Sequence, residues 1–275
     1  MEIVRTFGEI SARTKALRAA GRSIGFVPTM GFLHEGHRSL MRIARARADV
    51  SVVSIFVNPL QFGPHEDLAR YPRDPDGDAR QCEAERVDLL FLPERTLYAD
   101  GHATNVHVGD LTDGLDGAAR PGHFDGVATV VARLFGLVHP TLAVFGEKDF
   151  QQLAVIRRMT DDLALDVEIV PGPLVRDADG LALSSRNKYL SPADRKRALS
   201  LHKALFAMRA ERDRDPARLK SLGKGLLSVD RLDYLEIVDP RSLRPLDADA
   251  RGGRALVAAF VGDTRLIDNV ALDAS

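Results

Sequence analysis

The stretch PTMGFLHEGH, residues 28–37, holds His34 and His37 three positions apart, with Gly36 just before the second. Histidines so placed have three chemical uses: a polar helix start, half of a metal site, or a pair of hydrogen-bond donors for an anion. The zinc-peptidase pattern sets two histidines four apart around a glutamate that activates water. His-Glu-Gly-His is one residue short of that, and no third ligand stands out. A helix beginning near Leu33 or Gly36 would put both rings in its first turn, where free N–H groups and the positive dipole end receive phosphate. Gly36 would also let a nucleotide approach the backbone closely. An exposed polar turn remains the plain alternative for this stretch taken alone.

Other groups extend the same chemistry. GEKD, residues 146–149, carries Lys148, able to meet a phosphate as a point charge, and Asp149, suited to a helix cap or a ribose hydroxyl. LSSRN, residues 183–187, sets two hydroxyls and a guanidinium side by side, a phosphate-binding combination or a simple serine turn. Gln61, Gln151 and Gln152 offer neutral amides, which both donate and accept and so suit a hydroxy acid. RPGHFDG, residues 120–126, reads as ordinary loop chemistry leading into a helix. Together, the histidines, the lysine and the Ser-Ser-Arg loop make one phosphate-handling set.

The elements that must position these groups are legible as periodicities. Residues 23–31 read as a buried strand entering a glycine turn, and 37–49 as a helix with apolar Leu40, Met41, Ile43, Ala44 and Ala48. Strands follow at 50–59, 87–93, 141–149 and 166–173, with helices at 76–86, 124–140 and 150–163. Such β-branched runs suit strands covered on both faces, and their alternation with helices predicts a doubly wound parallel sheet. Ligands of such sheets gather beyond the carboxyl ends of the strands, where each polar cluster above falls. After about residue 175 the texture changes. A helix at 191–213, with Ser191 as N-cap, carries basic residues read as a solvated face, and strands at 232–240, 254–264 and 265–272 alternate like an antiparallel sheet. The predicted organisation is therefore an α/β domain over 1–175 and a smaller α+β domain over 176–275.

The bulk numbers narrow the classes. A formal net charge of −1 over 275 residues offers no general attraction to nucleic acid or to an anionic membrane. The single cysteine, Cys82, excludes an intrachain disulfide and a cysteine-rich zinc site, and fits a reducing compartment. No run approaches the ~20 apolar residues of a membrane span, and the charged N-terminus lacks a signal-peptide block. The expected location is cytoplasmic.

PTMGFLHEGH, SIFVNPLQFG, YPRDPDGD, RPGHFDGVATVV, FGEKDFQQL and LSSRNKYL, in that order, resemble the pantothenate synthetase (pantoate–β-alanine ligase) family, nucleotidyltransferases related to class I aminoacyl-tRNA synthetases. The match covers most of the first domain and is looser in the second. The resemblance implies a Rossmann-like nucleotide- and pantoate-binding domain and a C-terminal lid domain. It implies that ATP, with Mg²⁺, activates (R)-pantoate as pantoyl adenylate with release of pyrophosphate, and that β-alanine then displaces AMP to give pantothenate. Carried over by position, it puts Met30, Gly31, Phe32, Leu33, His34, Glu35, Gly36 and His37 against ATP, with His37 as proton donor. Gly146, Glu147, Lys148 and Asp149 would meet the nucleotide, Lys148 at phosphate and Asp149 at ribose. Val175, Leu183, Ser184, Ser185 and Arg186 would close over adenine and phosphates. Gln61 and Gln152 would hold pantoate, Gln61 bordering the β-alanine site and Asn58 lying close by. The family usually forms homodimers. Two departures stand out: Leu183 replaces a common methionine, and Gly77 separates Asp76 from Asp78 where adjacent acids are usual, which leaves Asp78 as the metal candidate. Two other readings are another nucleotidyltransferase of this fold, which a panel of acids in pyrophosphate exchange would separate, and a non-catalytic nucleotide-binding regulator.

Overall fold

The computed structural model describes residues 1–64 and 66–272. In chain order the elements are β1 (Glu2–Val4), α1 (Phe7–Ala19), β2 (Ile24–Thr29), α2 (Glu35–Arg47), β3 (Val50–Ile55), α3 (Pro75–Ala84), β4 (Leu89–Phe91), α4 (Asp116–Ala119), α5 (His123–Val138), β5 (Leu142–Gly146), α6 (Phe150–Asp162), β6 (Glu168–Gly172), α7 (Pro192–Ala210), α8 (Pro216–Leu226), β7 (Arg231–Val238), β8 (Gly253–Val261) and β9 (Thr264–Leu272). Six strands form one parallel sheet in the order β1-β4-β3-β2-β5-β6, and β7-β8-β9 form a separate antiparallel sheet. The expected doubly wound sheet with a smaller C-terminal α+β unit is what the chain adopts.

Strand residues alternate between two cores, as a side-chain period of two requires. Phe26, Val52, Leu89 and Phe91 pack with α5 and α6 residues such as Phe135 and Ile156. Their neighbours Val27, Val53 and Leu90 pack on the other face with Leu40, Met41 and Ala44 of α2. Each fully buried aliphatic side chain contributes roughly 1.5–3 kcal/mol, so both faces anchor the strand ends that carry the site. A third core joins α7 and α8 to the antiparallel sheet through Leu201, Leu205, Leu219 and Val257.

The sheet reverses its winding at β2, which pairs with both β3 and β5. Its register with β3 runs from Ile24↔Val50 to Thr29↔Ile55, whereas with β5 it holds only at Gly25↔Leu142 and Phe26↔Ala143. Past Phe26 the two strands separate, and Pro28, which has no N–H to donate, lies on the diverging part of β2. That split is the crevice where open α/β sheets take ligands.

Four elements lie outside the periodicities read from sequence: β1, α1, the one-turn α4 and α8. β1 is three residues long, and α1 buries only Ile10 and Thr14, so neither shows an apolar stripe. α1 does carry a capping box, Thr6 with Glu9, and α8 is announced by Asp215 capping a helix that opens on Pro216. The expected Ser191 cap of α7 is present, its hydroxyl accepting from Asp194 N–H at 3.1 Å. The basic face of α7 is partly ion-paired: Arg195 meets Asp177 and Asp179, and Arg197 meets Asp194 and Asp230. Among the described residues no helix is long and apolar enough to cross a membrane.

Candidate active site

Leaving β2, the backbone turns through Gly31 at φ +83° and Phe32 at φ +51°, the latter in a region that side chains disfavour. Asp78, in the first turn of α3, holds this turn: its two oxygens accept from Phe32 N–H at 2.8 Å and Leu33 N–H at 2.7 Å. A Cβ on Gly31 would stand 2.8 Å from the same carboxylate, so glycine is required there. Burial raises the Asp78 pKa despite the two N–H bonds. Asp78, the metal candidate of the sequence, is buried, and each of its oxygens accepts one backbone N–H of this turn.

α2 then begins with His34 as N-cap and His37 one turn in, their rings 4.1 Å apart and tilted by 35°. His34 N–H donates to His37 Nδ1 at 3.3 Å, which makes Nε2 the protonated nitrogen of the neutral His37 ring. His34 Nδ1 is buried without a partner, and the residue lines the cleft. Burial, helped by the charge of Lys148, lowers the His34 pKa to about 4, and burial with the nearby His34 holds His37 well below its usual value. Both rings are therefore neutral donors at a helix N-terminus. Gly36 has a nearer reason than nucleotide approach: a Cβ there would lie 2.9 Å from the His34 ring.

Across the crevice, β5 runs into a 3₁₀ turn, Glu147–Asp149, directly ahead of α6. Lys148 and Asp149 face the cleft, 3.7 Å apart. The turn is fastened from the C-terminal sheet. Asn269 of β9 donates to the carbonyls of Glu147 at 3.0 Å and Lys148 at 2.9 Å, and Arg254 of β8 meets the Glu147 carboxylate at 3.2 Å.

The inner end of the cleft is built from amides. Gln61 and Gln152 line it. Gln151 does not: its amide is spent on Asp116 N–H and the carbonyls of Leu111 and Gly114. Asn58 also lines the cleft but is 1% exposed and saturated. It donates to Gln61 Oε1 and Gly126 O, both at 3.0 Å, and accepts from Tyr98 Oη at 2.7 Å. It orients Gln61, leaving Gln61 Nε2 as the end free to donate. Two residues that sequence reasoning treated as plain loop, Arg120 and His123, stand beside Gln61 in this wall.

The loop after β6 supplies the outer wall. Leu183 N–H pairs with Val175 O at 3.0 Å, and both residues line the cleft. Ser184 caps the following 3₁₀ turn by accepting from Arg186 N–H, and Ser185 donates to Phe32 O at 3.2 Å. Arg186 is held by Asp67 through two bonds of 2.9 and 2.8 Å and lies over the Tyr71 ring.

Of the residues proposed for ATP, Met30, His34, Gly36, His37, Gly146, Lys148, Asp149, Val175, Leu183, Ser184, Ser185 and Arg186 line this one cleft. The rest are engaged elsewhere. The Gly31 Cβ position is filled by Asp78, Phe32 lies under Lys188 and Leu33 is core. Glu35 pairs with Arg42, and Glu147 with Arg254. Among the described residues no group of three or more His, Cys, Asp or Glu side chains is placed to hold a metal ion. What remains is one crevice whose lining joins His34, His37 and Lys148 to the amides Gln61 and Gln152, with Arg120 and His123 beside Gln61.

Residues 2–271 match the family described as pantoate-beta-alanine ligase. The chain is 49% identical over 282 residues to a pantothenate synthetase of Koribacter versatilis, covering 100% of this chain and 97% of that one. It is 54% identical over 271 residues to one from Anaeromyxobacter dehalogenans, covering 94% of each. Its fold superposes on a crystal structure of pantothenate synthetase from Thermus thermophilus with a TM-score of 0.93 at 49% identity, covering both chains fully. A pantoate-beta-alanine ligase from Francisella tularensis, solved with beta-gamma ATP and beta-alanine, gives a TM-score of 0.83 at 32% identity over 100% of this chain and 99% of that one.

Proposed function

The chain belongs to the pantoate–β-alanine ligase family, an ATP-dependent ligase of pantoate with β-alanine, and from that premise we propose how its residues divide two half-reactions. One observation carries the reading: a single cleft joins polyphosphate donors, His34, His37 and Lys148, to the amides Gln61 and Gln152. ATP lies along the β2–β5 crevice. The N-terminus of α2 and the two neutral histidines meet its phosphates, and Lys148 opposes the charge that builds on them. Asp149 takes the ribose, Val175 and Leu183 cover the adenine, and Ser184, Ser185 and Arg186 reach the phosphates once Arg186 exchanges Asp67 for them.

Pantoate sits at the amide end. Gln61 and Gln152 hold its hydroxyls and carboxylate by hydrogen bonds alone, which leaves the carboxylate's nucleophilic electron pair uncommitted to a cation. The carboxylate oxygen attacks the α-phosphorus, and the bond from that phosphorus to the departing pyrophosphate breaks. The neutral amine of β-alanine next attacks the carbonyl carbon of the mixed anhydride, AMP leaves with the bridging oxygen, and the new amide sheds one proton. Placement of the reactants supplies much of the rate. Mg²⁺, which this reading calls for, would come with the ATP phosphates and would supply charge neutralisation beside Lys148.

The division at residues 175/176 is supported by the parallel sheet ending at Gly172 and the antiparallel one beginning at Arg231. The reading takes the enzyme to be a cytoplasmic homodimer, which sedimentation equilibrium tests. The central experiment is ATP–pyrophosphate exchange. It should require pantoate and not β-alanine. Exchange that demands β-alanine would replace the adenylate pathway with a concerted one.

A further inference from the structure

Behind Gln61 lies a polar chain with no role in the division above. His123 opens α5, is 9% exposed, and places Nδ1 at 2.8 Å from the Gln61 backbone carbonyl. Its Nε2 lies 2.9 Å from Arg120 Nη1. Arginine has only donors, so Nε2 accepts and Nδ1–H donates to Gln61. Arg120 Nη2 reaches the same carbonyl at 3.3 Å, and its Nε and Nη2 each meet the Glu66 carboxylate at 2.7 Å. Every guanidinium nitrogen of Arg120 is therefore engaged, and Glu66 balances its charge. Although it faces the cleft, Arg120 is not a vacant anion receptor. The Gln61 side chain is pinned from the other side, where Asn58 holds its Oε1.

We propose that His123 and Arg120 are positioning residues: they fix the Gln61 backbone so that its Nε2–H is aimed at the acid substrate. The inference rests on the reading that Gln61 holds pantoate. Glu66 sets Arg120, Arg120 and His123 set the carbonyl, Asn58 sets the amide, and only the substrate-facing donor is left over. Loss of the His123 Nδ1–H leaves the carbonyl to Arg120 alone at its longer distance, and the amide loses its aim. Nothing in this chain of contacts touches the histidine pair or Lys148, so the nucleotide end is unaffected.

The test is steady-state kinetics on His123→Ala, His123→Asn and Glu66→Gln, alone and with Gln61→Ala. His123→Ala should raise the pantoate KM about tenfold while the ATP KM stays within about twofold, since one hydrogen bond is lost at the acid end only. His123→Asn, whose side-chain amide replaces the Nδ1–H donor, should recover most of that loss. Glu66→Gln frees Arg120 without emptying the core and should raise the pantoate KM by about threefold, which keeps the test available if His123→Ala does not fold. In the Gln61→Ala background the His123 effect should vanish, because residues acting through one another are not additive. If Gln61→Ala alone leaves the pantoate KM unchanged, the reading of Gln61 falls and this inference with it. If Gln61→Ala raises it but the His123 and Glu66 variants do not, or if the His123 effect persists at full size in the double variant, only the positioning role falls. A parallel rise in the ATP KM would mark general disruption and overturn it as well.

Discussion

Acid should destabilise this protein through its buried histidines, and His123 is the ring on which to measure it. Burial, then the charge of Arg120, lowers the His123 pKa from 6.5 to about 4, against the opposing pull of the Gln61 hydrogen bond, Asp116 and Glu66. Between those values the unfolded chain binds a proton at this ring and the folded one does not. Unfolding free energy then falls with decreasing pH at about 1.4 kcal/mol per unit for each such ring. The contribution is constant above 6.5, declines through the window, and levels off below about 4, where both states carry the proton. From about pH 6 to about pH 4.5 one ring accounts for about 2 kcal/mol. His34, also lowered to about 4, acts in the same direction, and so do carboxylates with depressed values such as Glu66. The single-ring effect is therefore isolated by comparing the wild type with His123→Asn, which keeps a donor and cannot titrate. Urea unfolding at a series of pH values should give stability curves that converge by about 2 kcal/mol on acidification over that window. Parallel curves would show that the fold does not hold this ring neutral.

Two further outcomes follow from the site. Lys148→Ala should reduce single-turnover adenylation by about 10² to 10³, the usual loss of one preorganised electrostatic donor, with the melting temperature little changed; near wild-type turnover would remove Lys148 from the mechanism. Asp78→Asn puts an amide donor against the N–H groups of Phe32 and Leu33, should lower stability by about 1–3 kcal/mol, and should weaken ATP binding as the histidine turn loosens. Unchanged melting and ATP titration curves would show that the carboxylate does not hold that turn.

The parts of this protein legible in its sequence are those whose signal is local. β2, β3 and β5 are apolar runs covered on both faces, and His34, His37 and Lys148 stand out because they directly follow such strands. β1 and α1 escape because three residues and a helix burying two side chains make no stripe, although the Thr6–Glu9 capping box was there to be read. The site residues that stayed hidden are those defined by distant partners. His123 and Arg120 lie in a glycine-flanked segment that looks like loop until folding brings Gln61 and Glu66 to them, across 62 and 54 positions of chain. Asp78 sits among several acids, and nothing near it in the chain indicates that it serves two amides 46 and 45 positions earlier. Asn58 reads as lying close to the substrate, and its bonds to Gln61 and Tyr98 come from partners the local sequence does not announce.

The 2.9 Å between the His34 ring and the place a Gly36 Cβ would occupy links the histories of these two positions. A lineage starting from this chain gains a side chain at 36 only if the imidazole gives way, because the new Cβ would stand 2.9 Å from that ring. Position 34 has to move or shrink first, and that step alters an imidazole that lines the cleft. The order of the two steps therefore matters. Natural variation among such chains should show bulk at position 36 only where the residue at 34 is smaller than histidine or its ring has moved.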